Sequence, residues 1–176
     1  MEEVNTTLIE LKTLAQFTVT VTEAQNEDGQ AFDRLAIWAK DPNYPHRLEA
    51  EQAWAAIVDE HTEVRSISVT WPPTWASERD PSKDNLTTLK KIFSTAAVPN
   101  RIKILDYIWG RKDFTKYERM AFVYDVLTTD NDLRVRYKAG NIFKQGPNLK
   151  AHPIDKEPFV EWWEKNKEKI RSEEEP

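Results

Sequence analysis

Residues 114–146 hold the feature that most restricts what this chain can fold into. Phe114, Tyr117, Ala121, Tyr124 and Leu127 recur at helical intervals, joined by Met120 and Val123. An apolar stripe of that period is one face of an amphipathic helix. The turn-forming run Thr128-Thr129-Asp130-Asn131-Asp132 follows at once, and Val135, Ala139, Ile142 and Phe143 then share a second helical face. Asn131 or Asp132 can cap this second helix by accepting from its unpaired N–H groups. Gly146-Pro147 stops it. Two apolar faces joined by so short a turn imply helix packed on helix.

The rest of the chain extends that reading. Val4, Leu8, Leu11, Ala15 and Thr18 recur at helical spacing over residues 1–25. Phe17-Thr18-Val19-Thr20-Val21-Thr22 also alternates as a strand would, so helix is preferred over 17–22 with strand left open. Asn26-Glu27-Asp28-Gly29 reads as a turn. A second helix carries Phe32, Leu35, Ala36 and Ala39 and is stopped by Asp41-Pro42. Pro45 suits the first turn of a third, which places Leu48, Gln52, Ala55 and Ala56 on one side and ends near His61. Residues 62–83 form an irregular insert, in which 66–71 has a short-strand pattern cut off by Pro72-Pro73. Helical order returns with Leu86, Leu89 and Phe93. Pro99 then opens a helix bearing Ile102, Leu105 and Ile108, closed by Gly110. A C-terminal helix over 155–172, capped by Asp155, carries Phe159, Trp162, Trp163 and Ile170.

The expectation is a single all-α domain spanning 1–176, with about seven or eight helices. Only four glycines are present, few for an α/β enzyme that needs them at its turns and phosphate loops. With no cysteine, disulfides and thiolate metal sites are excluded. No apolar run approaches the roughly 20 residues that span a bilayer. The N-terminus lacks the basic leader and apolar core of a signal peptide. A cytoplasmic location is expected, the alternative being the soluble portion of a membrane-anchored protein. Apolar periodicity is already running by Val4, which also fits an excised part of a longer chain.

The 114–146 segment resembles the inner turn of a HEAT-type helical repeat, through Asp130, Asp132, Val135, Arg136 and Ala139. Asp41-Pro42-Asn43 followed by Arg47 and Ala50 is a weaker echo, and Arg101 after Pro99-Asn100 is a third. The resemblance covers 29–61 and 84–146, and its spacing is irregular, 54 residues from Arg47 to Arg101 and 35 from there to Arg136. It implies a short, irregular α-α superhelix of paired helices with a long insert. The small residues would let helices approach closely, and the arginine would pair with an acid of its own or the preceding turn.

For function, the sequence lacks the usual parts of an enzyme. The three histidines, His46, His61 and His152, have no metal-binding spacing, and there is no GxSxG and no phosphate-binding glycine loop. No catalytic residue, metal or cofactor is expected. The reading preferred is a non-catalytic scaffold for a protein or peptide partner, since stacked helix pairs offer an extended face. Trp71 and Trp75, in the stiff Trp71-Pro72-Pro73-Thr74-Trp75 segment, and Trp162 or Trp163 are the candidate contacts, because rigid aromatics bind at low entropy cost. Adjacent tryptophans cannot face one direction, so one of Trp162 and Trp163 should anchor the last helix while the other sits at a rim.

Charge suggests the alternative. Residues 1–89 hold 7 Lys/Arg against 16 Asp/Glu, while 90–150 hold 13 against 6. A nucleic-acid-binding protein, even a DNA-base-excising enzyme, would use Arg101, Lys103, Arg111, Lys112, Lys116 and Arg119, with Arg134, Arg136 and Lys138 nearby. This alternative is disfavoured because acids are interspersed and Arg136 reads as a structural turn residue.

Overall fold

A computed structural model describes residues 2–60 and 84–174. Among them are eight α-helices: α1 (Glu2–Gln25), α2 (Gly29–Lys40), α3 (Arg47–Glu60), α4 (Leu86–Thr95), α5 (Val98–Gly110), α6 (Lys116–Thr129), α7 (Leu133–Phe143) and α8 (Lys156–Ser172). No strand occurs among these residues, and the fold is all-α. Among the described residues an isolated antiparallel bridge joins Asp28 and Asp132. The 62–83 insert, the strand pattern at 66–71, His61, Trp71 and Trp75 lie outside the described residues. No described helix is long and apolar enough to cross a membrane. The chain divides into two compact units, Met1–Glu63 with Asn131–Leu133, and Val64–Asp130 with Arg134–Pro176.

In the first unit α1, α2 and α3 pack on one another in every pairing. The strand alternative at 17–22 is not realised, and hydroxyl chemistry explains why. Thr13, Thr18 and Thr22 each donate to the carbonyl four residues back, Ile9, Leu14 and Thr18, at 2.9–3.0 Å. Their hydroxyls are therefore satisfied inside the helix. The helix ends in a Schellman motif, with Asp28 N–H on the Glu23 carbonyl and Glu27 N–H on that of Ala24. Glu27 takes the left-handed position at φ 74°. Gly29, expected in this turn, instead begins α2. Asp28 caps α2, accepting from Ala31 N–H at 2.7 Å. The Asn131–Leu133 segment clasps this turn: Gly29 N–H donates to the Asn131 carbonyl at 2.8 Å and Leu133 N–H to that of Glu27 at 2.9 Å.

The core of the first unit mixes small and large residues. Ala24, Ala31 and Ala50 are fully buried with Leu35, alongside Phe32, Ile57 and Thr20. The spacing that drew attention in α1 marks the outer face. The inner face is Thr13, Phe17, Thr20, Val21 and Ala24. In α3, likewise, Leu48, Ala55 and Ala56 are exposed while Ala50 and Ile57 are buried. The fully buried Ala24, Ala31 and Ala50 let helix axes come close where they meet.

The second unit holds a larger core fed by α4 to α8. Phe143 sits at its centre, meeting the rings of Tyr124, Phe159, Trp162 and Trp163 at 5.7–6.2 Å. Helix α6 opens with a capping box: Thr115 Oγ1 accepts from Glu118 N–H at 3.0 Å, and the Glu118 carboxylate accepts from Thr115 N–H at 2.9 Å. Its next two free donors, Lys116 and Tyr117 N–H, are taken by the Glu174 carboxylate at 2.5 and 2.9 Å. Helix α5 does not end on a glycine cap, because no described glycine has positive φ. Gly110 is its last helical residue, and Arg111 N–H closes the end on the Ile108 carbonyl.

At the corner between α6 and α7 the arginine meets the turn through a backbone carbonyl, where the sequence suggested an acid's side chain. Arg136 is 2% exposed, and its Nε donates to the Asp130 carbonyl at 2.5 Å. The Asp130 carboxylate, also buried, accepts from Arg101 Nη1 at 2.5 Å. Ala139, the small residue of the pattern, is fully buried in the core, and the neighbouring Gly140 is small for a different reason. A Cβ on Gly140 would meet the Pro153 carbonyl oxygen at 2.1 Å, so α7 lies directly against the backbone of the loop before α8.

Candidate interaction surface

Every large hydrophobic side chain strongly exposed among the described residues belongs to the first unit. Leu8, Ile9, Leu11, Leu14 and Val19 on α1, Ile37 on α2 and Leu48 on α3 are 46–65% exposed. Five of the seven lie on one helix. Helical spacing sets Leu8, Leu11, Ala15, Thr18 and Thr22 on a single line along α1, opposite the packed stripe, and all five are exposed. The helix is thus apolar on two faces but packed through only one.

Two open hollows border this line. One, of about 450 Å³, is lined by Ile9, Glu10, Leu11, Thr13, Leu14, Pro45 and His46. The other, of about 400 Å³, is lined by Ala15, Gln16, Val19, Thr20, Glu23 and Arg34. Glu23 and Arg34 pair at 2.9 Å at its edge, with both side chains half exposed. Beneath the first hollow Phe17 stacks on His46 at 5.6 Å, and Trp38 lies on Tyr44 at 4.6 Å. Burial pushes the Tyr44 hydroxyl above its ordinary pKa. These rings lie beneath a rim of exposed aliphatic chains. The arrangement can bind an apolar side chain or helix face. Among the described residues no three His, Cys, Asp or Glu groups are placed to hold a metal ion.

The residues singled out from the sequence are dispersed. Trp163 is 4% exposed, stacked on Tyr117 at 5.6 Å and Tyr124 at 5.4 Å, inside the second unit's core. Trp162 is half-buried, edge-on to Phe143, and its carbonyl accepts from Asn166 Nδ2 at 2.7 Å. Arg101 is held by Asp130. Arg111 lies over the Phe114 ring at 4.5 Å and is bidentate to Asp113. That bond raises the guanidinium pKa further and lowers that of the Asp113 carboxyl. Arg119 donates to the Trp109 carbonyl at 2.9 Å and lies over its indole. Lys112 and Lys116 are exposed and Lys103 half-buried. The α1 stripe was visible as a periodicity. What sequence reasoning lacked was the competing threonine-alanine stripe that takes the inner side.

No family model, curated protein or solved structure matches the chain.

Proposed function

We propose that this chain is a non-catalytic protein-interaction module whose contact surface is the outward apolar line of α1 with its two bordering hollows. One observation carries the reading: five large aliphatic side chains on a single helix are turned to water. Contiguous exposed apolar surface of this kind marks interaction sites rather than ordinary solvated helix. The acidic balance of residues 1–89 argues for a protein partner over an anionic lipid surface or nucleic acid. The HEAT-type resemblance points the same way.

The nucleic-acid alternative has weaker support, since Arg101, Arg111 and Arg119 are each held by internal partners. A gel shift with random DNA at low salt should show no retarded band; a band that fades with added salt would favour that alternative. The interaction reading is tested with a photo-crosslinking amino acid placed at Leu8, Leu11 or Val19, and at the exposed Glu161 of α8 as control. Irradiation in the host cell should give discrete adducts from the α1 positions and none from Glu161. No adduct, or equal adducts from both helices, refutes it.

A further inference from the structure

We infer that the occupant of the α1 surface is a second copy of this chain, paired antiparallel through the same helix; this rests on the reading of that face as a contact surface. Spacing is the first argument. The outward residues Leu8, Leu11, Ala15, Thr18 and Thr22 follow each other at intervals of three, four, three and four. That is the a/d seam of a coiled coil, continuous along the helix. The inner stripe occupies the opposite side, so the seam is free to take a partner without disturbing the unit.

Charge is the second argument. Residues 1–89 are strongly acidic, and two copies of an acidic surface repel. Yet Glu2, Glu3, Glu10 and Glu23, the acids of α1, all fall outside the a, d, e and g positions of this seam. Lys12 is the one charge beside it, and its stem can lie along apolar surface with the amine in water. A face kept clear of like charge is self-compatible. A basic partner helix would instead want acids flanking the seam.

Shape and area set the orientation. The large side chains, Leu8 and Leu11, lie in the N-terminal half of the line, and the small ones, Ala15, Thr18 and Thr22, in the C-terminal half. In an antiparallel pair, a residues meet d residues. Leu11 then opposes Ala15 and Leu8 opposes Thr18, large against small. Helix α1 has 24 residues. It is therefore ~36 Å long, and half the girth of a cylinder ~10 Å across gives roughly 560 Å² per copy. The pair would bury about 1,100 Å², which reaches the size of a small specific interface.

The chain has no cysteine, so introduced thiols report on geometry without interference. Leu8→Cys and Thr18→Cys chains, purified separately, should each stay uncrosslinked on mild oxidation and form a disulfide dimer when mixed. In sedimentation equilibrium the unmodified chain should reach twice its 20.6 kDa mass, and Leu11→Asp should return it to one copy. Circular dichroism of Leu11→Asp should be unchanged, separating lost pairing from lost folding. A chain that stays single at its highest soluble concentration overturns the inference. So does a disulfide formed by Leu8→Cys alone, which would mean parallel helices. If the chain is single yet cellular adducts at Leu11 carry a different mass, the inference fails while the interaction reading stands.

Discussion

In the second unit Leu105, Ile108, Leu127, Val135 and Phe143 are sealed from water, whereas in the first Leu8, Ile9, Leu11 and Leu14 face it. Both units are helical and both contain ordinary amphipathic periodicity. They differ in which stripe is turned inward. The second unit buries its bulky stripe, so its stability comes mainly from apolar area removed from water. The first buries Phe32, Leu35 and Ile57 together with three alanines and a threonine, and leaves the large aliphatic residues of α1 available. A helix with two apolar stripes can hold a fold with one and offer the other.

The sharpest way to break this contrast is to remove bulk from the second unit. Trp163→Ala should cost about 3–5 kcal/mol, the usual range for deleting a buried aromatic. Urea denaturation followed by near-ultraviolet circular dichroism measures it, and a loss below about 1 kcal/mol would erase the distinction between the units. Gly140→Ala should cost roughly 1–3 kcal/mol, because the new methyl meets Pro153 backbone rather than a side chain that can yield. The same denaturation assay applies.

A smaller effect is expected at the start of α6. Burial alone would raise the Glu174 carboxyl, but bonds from Tyr117 and Lys116 N–H, helped by Thr115 and Arg119, leave it below its ordinary value of 4.5. The folded form therefore holds this proton less tightly than the unfolded chain. Its contribution is fully present above pH 4.5 and is lost as pH falls through the lowered folded value. Glu174→Gln should lower stability by up to about 1 kcal/mol at neutral pH, as for loss of a helix cap. Melting curves should show that gap closing in strong acid. Least of all, Leu11→Ser should change the stability of the single chain by no more than about 0.5 kcal/mol, as for an exposed position. A cost above about 2 kcal/mol in urea would place Leu11 in an internal contact and sharpen the comparison against us.

Legibility in the sequence follows the same divide. Where large apolar residues form the inner stripe, as in α6 with Met120, Val123 and Leu127, periodicity identified helix, face and burial together. Asp155 was readable as a cap because an acid directly precedes the helical pattern, and it accepts from Glu157 N–H at 3.4 Å. The Arg136 corner was readable because a buried guanidinium needs acceptors and the turn supplies them. In α1 the pattern gave the helix but not the face turned inward, because apolar residues occur on both sides of it. The role of Glu174 was invisible, since its partners lie 57 and 58 residues away and nothing local signals them. The close approach of Gly140 to the Pro153 backbone had no local signal either.

Asp130 ends three helices' worth of wiring in one residue. Its N–H terminates α6 on the Val126 carbonyl, its own carbonyl receives Arg136 of α7, and its carboxylate holds Arg101 of α5. Slow amide exchange along these helices should consequently be governed by a shared opening event, with protection in α5, α6 and α7 rising and falling together rather than helix by helix.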